Sequence, residues 1–532
     1  MSAFVAAVDV GTGSARAGIF DLGGRLLGRA EQAIALSRPR ANHADQDSGQ
    51  IWRAVCAAVR AARDRADVAP SAIAAVAFDA TCSLVVRDAE GQPVSVSPGA
   101  EDRWDTILWL DQRARTEAAE VTATGHPVIA HCGGAMSPEM QLPKLLWLKR
   151  QMPEHWARAT RISDLVDFLA WKASGSTARS HCALTCKWSY RGQCADPWPR
   201  DLIDLIGLAD LEVRTGVPQR SVPVGSDLGP LRPEAAAALG LTETCRVAAG
   251  MIDAHAGALG AIGAHGADLG HRFALIAGTS TCVMALSDEP RFVPGFWGPY
   301  RDAVLPGKWL IEGGQSASGA LLDHICTVWG GAEPDAAFHA RVCARIAELR
   351  AEEGWDLARR LNVLPDFAGN RSPHADPAAL GVVSGLSLDH GFDGLCRLYW
   401  RTAVALACAL RLVVDRLAPP PAPRPRLHVA GGHARNPMLV QLYADATGCV
   451  LELPEHADVV LLGSAVVAAT AAGAFPDLAS AARAMQAPVR EIHPDPAATE
   501  ELETDFRILL EMQEHRRRID RLATGASRLS DG

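Results

Sequence analysis

The chain has 532 residues, 48% of them hydrophobic and 21% charged, with a net charge of -9; that length allows about two to four domains with sizeable cores. Both signs are mixed throughout and the short Arg516-Arg517-Arg518 run reads as a solvated helix face, which argues against a nucleic-acid partner. No apolar run approaches the roughly 18–20 residues that span a bilayer and no leader pattern opens the chain, so no membrane partner is expected and the protein is read as cytoplasmic.

In chain order the first element is a strand–turn–strand from Phe4 to Asp21, turning at Gly11-Thr12-Gly13-Ser14. Residues Asp47 to Asp67 carry a helical stripe of Ile51, Trp52, Val55, Cys56 and Val59. Ala72 to Val86 reads as two buried strands meeting at the polar turn Asp79-Ala-Thr81-Cys82-Ser83. The stretch from Met140 to Tyr190 is rich in Trp (Trp147, Trp156, Trp171, Trp188), which predicts core aromatics, with a sugar-facing surface as the alternative. A strand then runs into Asp253, and a helix of small residues, with His255 and Gly257, leaves from it. His255 reads as a hydrogen-bonded structural histidine, the alternative being a second catalytic group. The 13 cysteines are scattered, with no Cys-x-x-Cys pair, and read as small buried hydrophobes with neither a disulfide framework nor a zinc site.

About half a chain later the opening hairpin recurs as Phe273 to Leu286, with Gly278-Thr279-Ser280 at the turn. Next comes Ile311-Glu312-Gly-Gly-Gln315-Ser-Ala-Ser318-Gly319, a strand end followed by a helix start of small residues. Pro419 to Pro425 is a loop and Leu427 to Ala430 a strand. After Gly431-Gly432, Asn436 suits an N-cap and Pro437 the first turn of a helix through Leu439, Leu442 and Tyr443. Gly463-Ser464-Ala465 opens a further helix and reads as a close packing contact. The residues after Phe475 look helical and peripheral. The repeat divides the chain into 1–265, 266–475 and a C-terminal extension, 476–532.

Each hairpin turn offers backbone N–H groups and hydroxyls to one small volume, which suits a phosphate. Aligning Gly11 with Gly278 sets Asp9 opposite Ile276, so only the first copy has a carboxylate, a candidate Mg2+ ligand, beside its turn. Asp253, at a strand–helix corner, is positioned to accept a proton from a substrate hydroxyl; helix capping is its bland alternative.

With Asp9-Val-Gly-Thr-Gly-Ser14, Asp253-Ala-His-Ala-Gly257, Gly278-Thr-Ser280, Glu312-Gly-Gly-Gln315 and Gly431-Gly-His-Ala-Arg-Asn436 in this order, the chain resembles the FGGY family of carbohydrate kinases. The resemblance implies an α/β fold of two ribonuclease-H-like (actin-like ATPase) domains flanking a catalytic cleft. It also implies ATP with Mg2+, a small sugar or polyol held mainly on the first domain, and a homodimer, a frequent state in the family. Thr81-Cys-Ser-Leu-Val85, Met136-Ser-Pro-Glu-Met140, Pro143-Lys144-Leu-Leu-Trp147 and Cys186-Lys187-Trp188 are similar to the ribulokinase and ribitol kinase branch, whereas glycerol kinases carry an Arg-Glu pair in place of Cys82-Ser83. Carried over, Asp253 is the general base, and Lys187, Glu312, Asp79 and Thr81 bind the sugar. Thr12, Gly13, Ser14 and Arg16 approach the phosphates with Asp9 at the metal. Gly278 and Thr279 meet phosphate from the other domain, and Gly319, Gly432 and Asn436 line the nucleoside. The implied reaction is phosphorylation of D-ribulose to D-ribulose 5-phosphate; ribitol, L-ribulose and xylulose are alternative acceptors, and a non-catalytic sugar-responsive protein is the alternative of another class.

Overall fold

Phe4–Val10 (β1) is buried along almost its whole length, the pattern of a strand covered on both faces, and Asp9 is its one charged residue. The computed structural model describes residues 4–331, 334–455 and 458–524. β1 pairs antiparallel with Ser14–Asp21 (β2), which pairs antiparallel with Leu26–Ala33 (β3). On its other side β1 runs parallel to Ile73–Ala80 (β4), with Asp9 opposite Asp79. Asp227–Pro230 (β5), Arg246–Ala248 (β6) and Met251–Ile252 (β7) complete the sheet, in the order β3-β2-β1-β4-β6-β5 with β7 on β4. The Ser48–Ala66 helix is capped by Asp47, which accepts from the Gln50 N–H, and of its expected stripe Ile51, Val55, Cys56 and Val59 are buried while Trp52 is half-buried. The two strands expected between Ala72 and Val86 both form, but in different sheets: Leu84–Arg87 pairs with Thr106–Ile107 and Arg161–Asp164.

The second sheet repeats the scheme. Arg272–Ala277 (β8), Thr281–Ser287 (β9), Trp309–Gln315 (β10), Arg426–Ala430 (β11), Leu451–Pro454 (β12) and Val489–Ile492 (β13) lie in the order β10-β9-β8-β11-β12-β13, and Trp297–Arg301 adds a seventh strand outside β10. β8 runs parallel to β11 and β11 to β12. In both sheets the first strand in sequence is central, with its hairpin partners on one side and a parallel neighbour on the other; at the far edge of the first sheet β5 is antiparallel to β6. This is the α/β duplication that the repeated hairpin predicts.

The chain forms two compact units, which divide it differently from the linear boundaries at 265 and 475. The first comprises residues up to Gly270 with Ala285–Ile311 and Pro454–Pro488; the second comprises His271–Met284, Glu312–Leu453 and the chain from Val489 on. The return to the first unit has a packing cause. The Val459–Ala471 helix is apolar on all sides and lies against β1, β4 and the Asp253–Ile262 helix, all in the first unit. The expected C-terminal extension is likewise split. Its Pro496–Thr524 helix lies on Phe392–Leu417 of the second unit, where Arg411 meets Glu503 at 2.8 Å and Arg401 pairs with Asp505; residues 525–532 of that expectation lie outside the described residues. Among the described residues no helix is long and apolar enough to cross a membrane.

The two helices of the first unit meet backbone to backbone. A Cβ on Gly463 would lie 1.9 Å from the Ala256 carbonyl oxygen, and one on Gly260 would lie 2.2 Å from that of Val459. Gly463→Ala is therefore expected to cost about 1–3 kcal/mol or more in chemical denaturation; an unchanged midpoint would show that the helices do not touch in this way.

Candidate functional site

In the first unit the β1–β2 turn closes by the Gly11 N–H donating to the Ser14 carbonyl at 3.0 Å. A side chain on Gly13 would meet nothing within 4 Å, so this turn presents open backbone. Thr12 is fixed from behind: the Trp109 indole donates to its Oγ1 at 3.0 Å and Gln46 to its carbonyl at 2.8 Å. With Trp109 as donor, the Thr12 hydroxyl keeps its own proton to give. Lys144, fully buried, reaches the Leu108 carbonyl at 3.2 Å and so secures the Trp109 segment. Ser14 differs from expectation in one respect, because its hydroxyl is already donated to Glu31 at 2.7 Å.

Below the turn lies a carboxylate cluster. Asp9 and Asp79 are neighbours across β1 and β4 and fully buried. Arg16, opposite Asp9 across the hairpin, approaches its carboxylate at 2.6 Å, and the Ser464 hydroxyl donates to Asp79 Oδ2 at 2.5 Å. Burial raises the Asp9 carboxyl to about 7, against the pull of Arg16, and Asp253 and Asp458 raise it further. Burial and the charge of Asp9 likewise push Asp79 well above the ordinary range. The two carboxyls share a hydrogen bond with each other, and apart from it Asp9 Oδ1 and Asp79 Oδ1 have no hydrogen-bond partner among the described residues. Acceptor oxygens crowded into one site with a single guanidinium suit a hard cation.

Asp253 is the first residue of its helix, one position after the Ile252 cap, and its carboxylate also takes a hydrogen bond at the helix start. Its printed hydrogen bond is from the Ala254 N–H to Oδ1 at 2.7 Å. Burial raises its carboxyl, while the Ala254 N–H, Arg16, His255 and Lys187 pull it back. Lys187 is buried with its ammonium 4.1 Å from the centroid of the Trp297 ring. Thr81, buried, shares a 2.9 Å hydrogen bond with Ser83. The sequence reading thus finds Asp9, Arg16, Asp79, Asp253 and Lys187 in one electrostatic neighbourhood. It misses Ser464, Trp109 and Trp297. Trp109 had a usable signal, the run Trp109-Leu-Asp111-Gln-Arg113, because Asp111 and Arg113 form a buried 2.8 Å pair that fixes this loop. His255 is buried against Cys182, in keeping with a structural role.

In the second unit the hairpin closes in the same way, the Gly278 N–H donating to the Ser280 carbonyl at 2.9 Å. Here the turn also anchors a helix: the carbonyls of Gly278 and Thr279 accept from Gly319 and Ala320 at 3.0 and 3.1 Å. Gly319 is required, since a Cβ there would lie 2.6 Å from the Gly278 oxygen. Gly432 is exposed beside the β11 end, and Asn436 caps the Pro437–Thr447 helix as expected, its Oδ1 accepting from Met438 and Leu439 at 3.1 and 3.3 Å. Its amide donates to Cys343 Sγ at 3.5 Å. The His433 ring is buried and bonded to the Tyr443 hydroxyl at 2.8 Å, and burial lowers it to about 4, so it is neutral and structural. Glu312 is buried on β10.

Residues 4–260 match the N-terminal domain of the FGGY family of carbohydrate kinases, and residues 273–472 match its C-terminal domain. The chain is 39% identical to a human FGGY carbohydrate kinase domain-containing protein, over 96% of each chain. It is 34% identical to D-ribulokinase of Saccharomyces cerevisiae, over 89% of this chain and 72% of that one. In fold it is similar to xylulose kinase from Rhodospirillum rubrum, with a TM-score of 0.75 at 24% identity, over 97% of this chain and 99% of that one. These matches, in the family's domain order and along nearly the whole chain, establish that this protein belongs to the FGGY family of carbohydrate kinases.

Proposed function

We propose that this protein transfers the γ-phosphoryl group of ATP to the terminal primary hydroxyl of a pentulose, with D-ribulose as the acceptor. The observation that carries the reading is Asp253: a carboxylate at the start of a helix, half-buried, with one acceptor oxygen engaged by a backbone N–H and cations nearby. The similarity to a D-ribulokinase supports the choice of acceptor.

Asp253 accepts the proton of the sugar's terminal hydroxyl as that oxygen forms its bond to the γ-phosphorus and the bond to the departing ADP oxygen breaks. Lys187 donates to a sugar oxygen, its ammonium held against Trp297, and Glu312 and Thr81 are further sugar-binding groups. The open turns around Gly13 and Gly278 offer backbone N–H groups to the phosphates, with Thr12, Arg16 and Thr279 beside them. Gly319, Gly432 and Asn436 line the nucleoside. Asp9, whose Oδ1 has no partner other than the neighbouring Asp79 carboxyl, would hold Mg2+, and the ion would supply neutralisation of phosphate charge there. Asp79, held by Ser464, supports that carboxylate more directly than it serves the sugar.

Asp253→Asn is expected to lower kcat by about two to four powers of ten while the protein stays folded; turnover near that of the unaltered enzyme would refute the base assignment. Lys187→Met should raise the KM for the sugar about tenfold to a hundredfold and leave that for ATP in place, and the opposite pattern would remove Lys187 from the sugar site. An ATP-coupled assay across D-ribulose, L-ribulose, D-xylulose and ribitol should give its highest kcat/KM with D-ribulose. Preference for another sugar would reassign the substrate, and ATP binding without turnover on any of them would favour a non-catalytic protein.

A further inference from the structure

Next to the residues just assigned to the chemistry, with Cys186 preceding Lys187 and His255 two residues after Asp253, three soft ligands converge in the interior of the first unit. Cys182 and Cys186 lie four residues apart on the His181–Lys187 helix, which puts both thiols on one face. His255, from the first turn of the Asp253–Ile262 helix, faces them. Its Nδ1 is 3.0 Å from Cys182 Sγ and 3.9 Å from Cys186 Sγ, and the ligand atoms of all three residues lie within 4.8 Å of one another. Cys182 and His255 have no exposed surface and Cys186 has 2%.

These separations lie near those of a metal site, which the 3.0 Å contact reaches by opening about 0.5 Å. In tetrahedral zinc coordination, sulfur and nitrogen ligands sit roughly 3.5–3.8 Å apart, a value that the two sulfur–nitrogen distances bracket. Two thiolates and an imidazole form a donor set that favours zinc over hard cations such as Mg2+. Of the three, Cys186 borders a cavity of about 10 Å3, otherwise lined by residues such as His131, Met140 and Tyr190.

We propose that Cys182, Cys186 and His255 form a zinc-binding site with three protein ligands, separate from the carboxylate cluster around Asp9. Binding replaces the thiol protons, which leave to solvent, and involves no change of oxidation state. The site departs from the reading of the cysteines as inert hydrophobes. Its Cys-x-x-x-Cys spacing and distant histidine give no zinc signature in sequence, and only the meeting of the two helices assembles it. It is independent of which sugar the enzyme phosphorylates.

The test uses the full-length protein, stripped of metal with a chelator, incubated with zinc and passed through gel filtration. The intact protein should retain about one zinc per chain more than Cys182→Ser or Cys186→Ser, with circular dichroism checking that each variant is folded. Loaded with Co2+, it should show thiolate-to-cobalt charge-transfer absorption that weakens in either variant. Should the variants not fold, X-ray absorption at the zinc edge of the intact protein decides, the expectation being two sulfur ligands and at least one imidazole. Zinc retention equal to that of folded variants, a cobalt spectrum without thiolate absorption, or a zinc shell of oxygen and nitrogen alone would overturn the site and leave a buried thiol–imidazole hydrogen bond.

Discussion

The contact on which the first unit depends is the backbone approach of the Asp253–Ile262 and Val459–Ala471 helices. At Gly463 and Gly260 the chains are so near that no side chain fits between them. The approach does three things at once. It draws residues 454–488 back to a unit whose core is built from the first 270 residues. It brings the Ser464 hydroxyl to Asp79, beside the Asp9 carboxylate. It also fixes the helix whose first residue is the proposed base. A larger residue at either glycine would shift that helix, and displacement of a catalytic group by even about 1 Å is costly for reactions that rely on positioning.

Duplication supplied two hairpins with one closing hydrogen bond each, and the copies then served different chemistry. In the first, Asp9 and Asp79 stand on adjacent strands with Arg16 as counter-charge. In the second, Ile276 occupies the place of Asp9, and the turn is occupied with anchoring the Gly319 helix. Under the proposed function the first turn, with its carboxylates, takes the metal and the transferring phosphate, while the second offers neutral donors. A kinase that carried the carboxylate pair on both copies would repel the polyphosphate it must hold.

The hairpins, the strand–helix corner at Asp253 and the Asn436 cap were legible in sequence because each is a short-range device: a glycine turn, a change of period, a side-chain oxygen next to free N–H groups. The resemblance of the same stretches to the FGGY family gave the two-domain fold. What was not legible is what depends on tertiary contact. Trp297 lies far along the chain from Lys187, and an isolated Trp in an apolar strand looks like core. The Val459–Ala471 helix is apolar on every face, so its sequence says that it is buried without saying against what, and the discontinuous units follow from that choice. Ser14 looked like a phosphate donor; its commitment to Glu31 comes from the register of β2 and β3, which pairing alone decides.

The central claim is regiospecific phosphoryl transfer to a ketose, and the structure of the product tests it most directly. After incubation of the enzyme with ATP and D-ribulose, carbon–phosphorus coupling in the nuclear magnetic resonance spectrum should appear at the terminal carbon remote from the ketone, with ADP formed in equal amount. A phosphoester at any other carbon, or ADP accompanied by inorganic phosphate alone, would contradict the account.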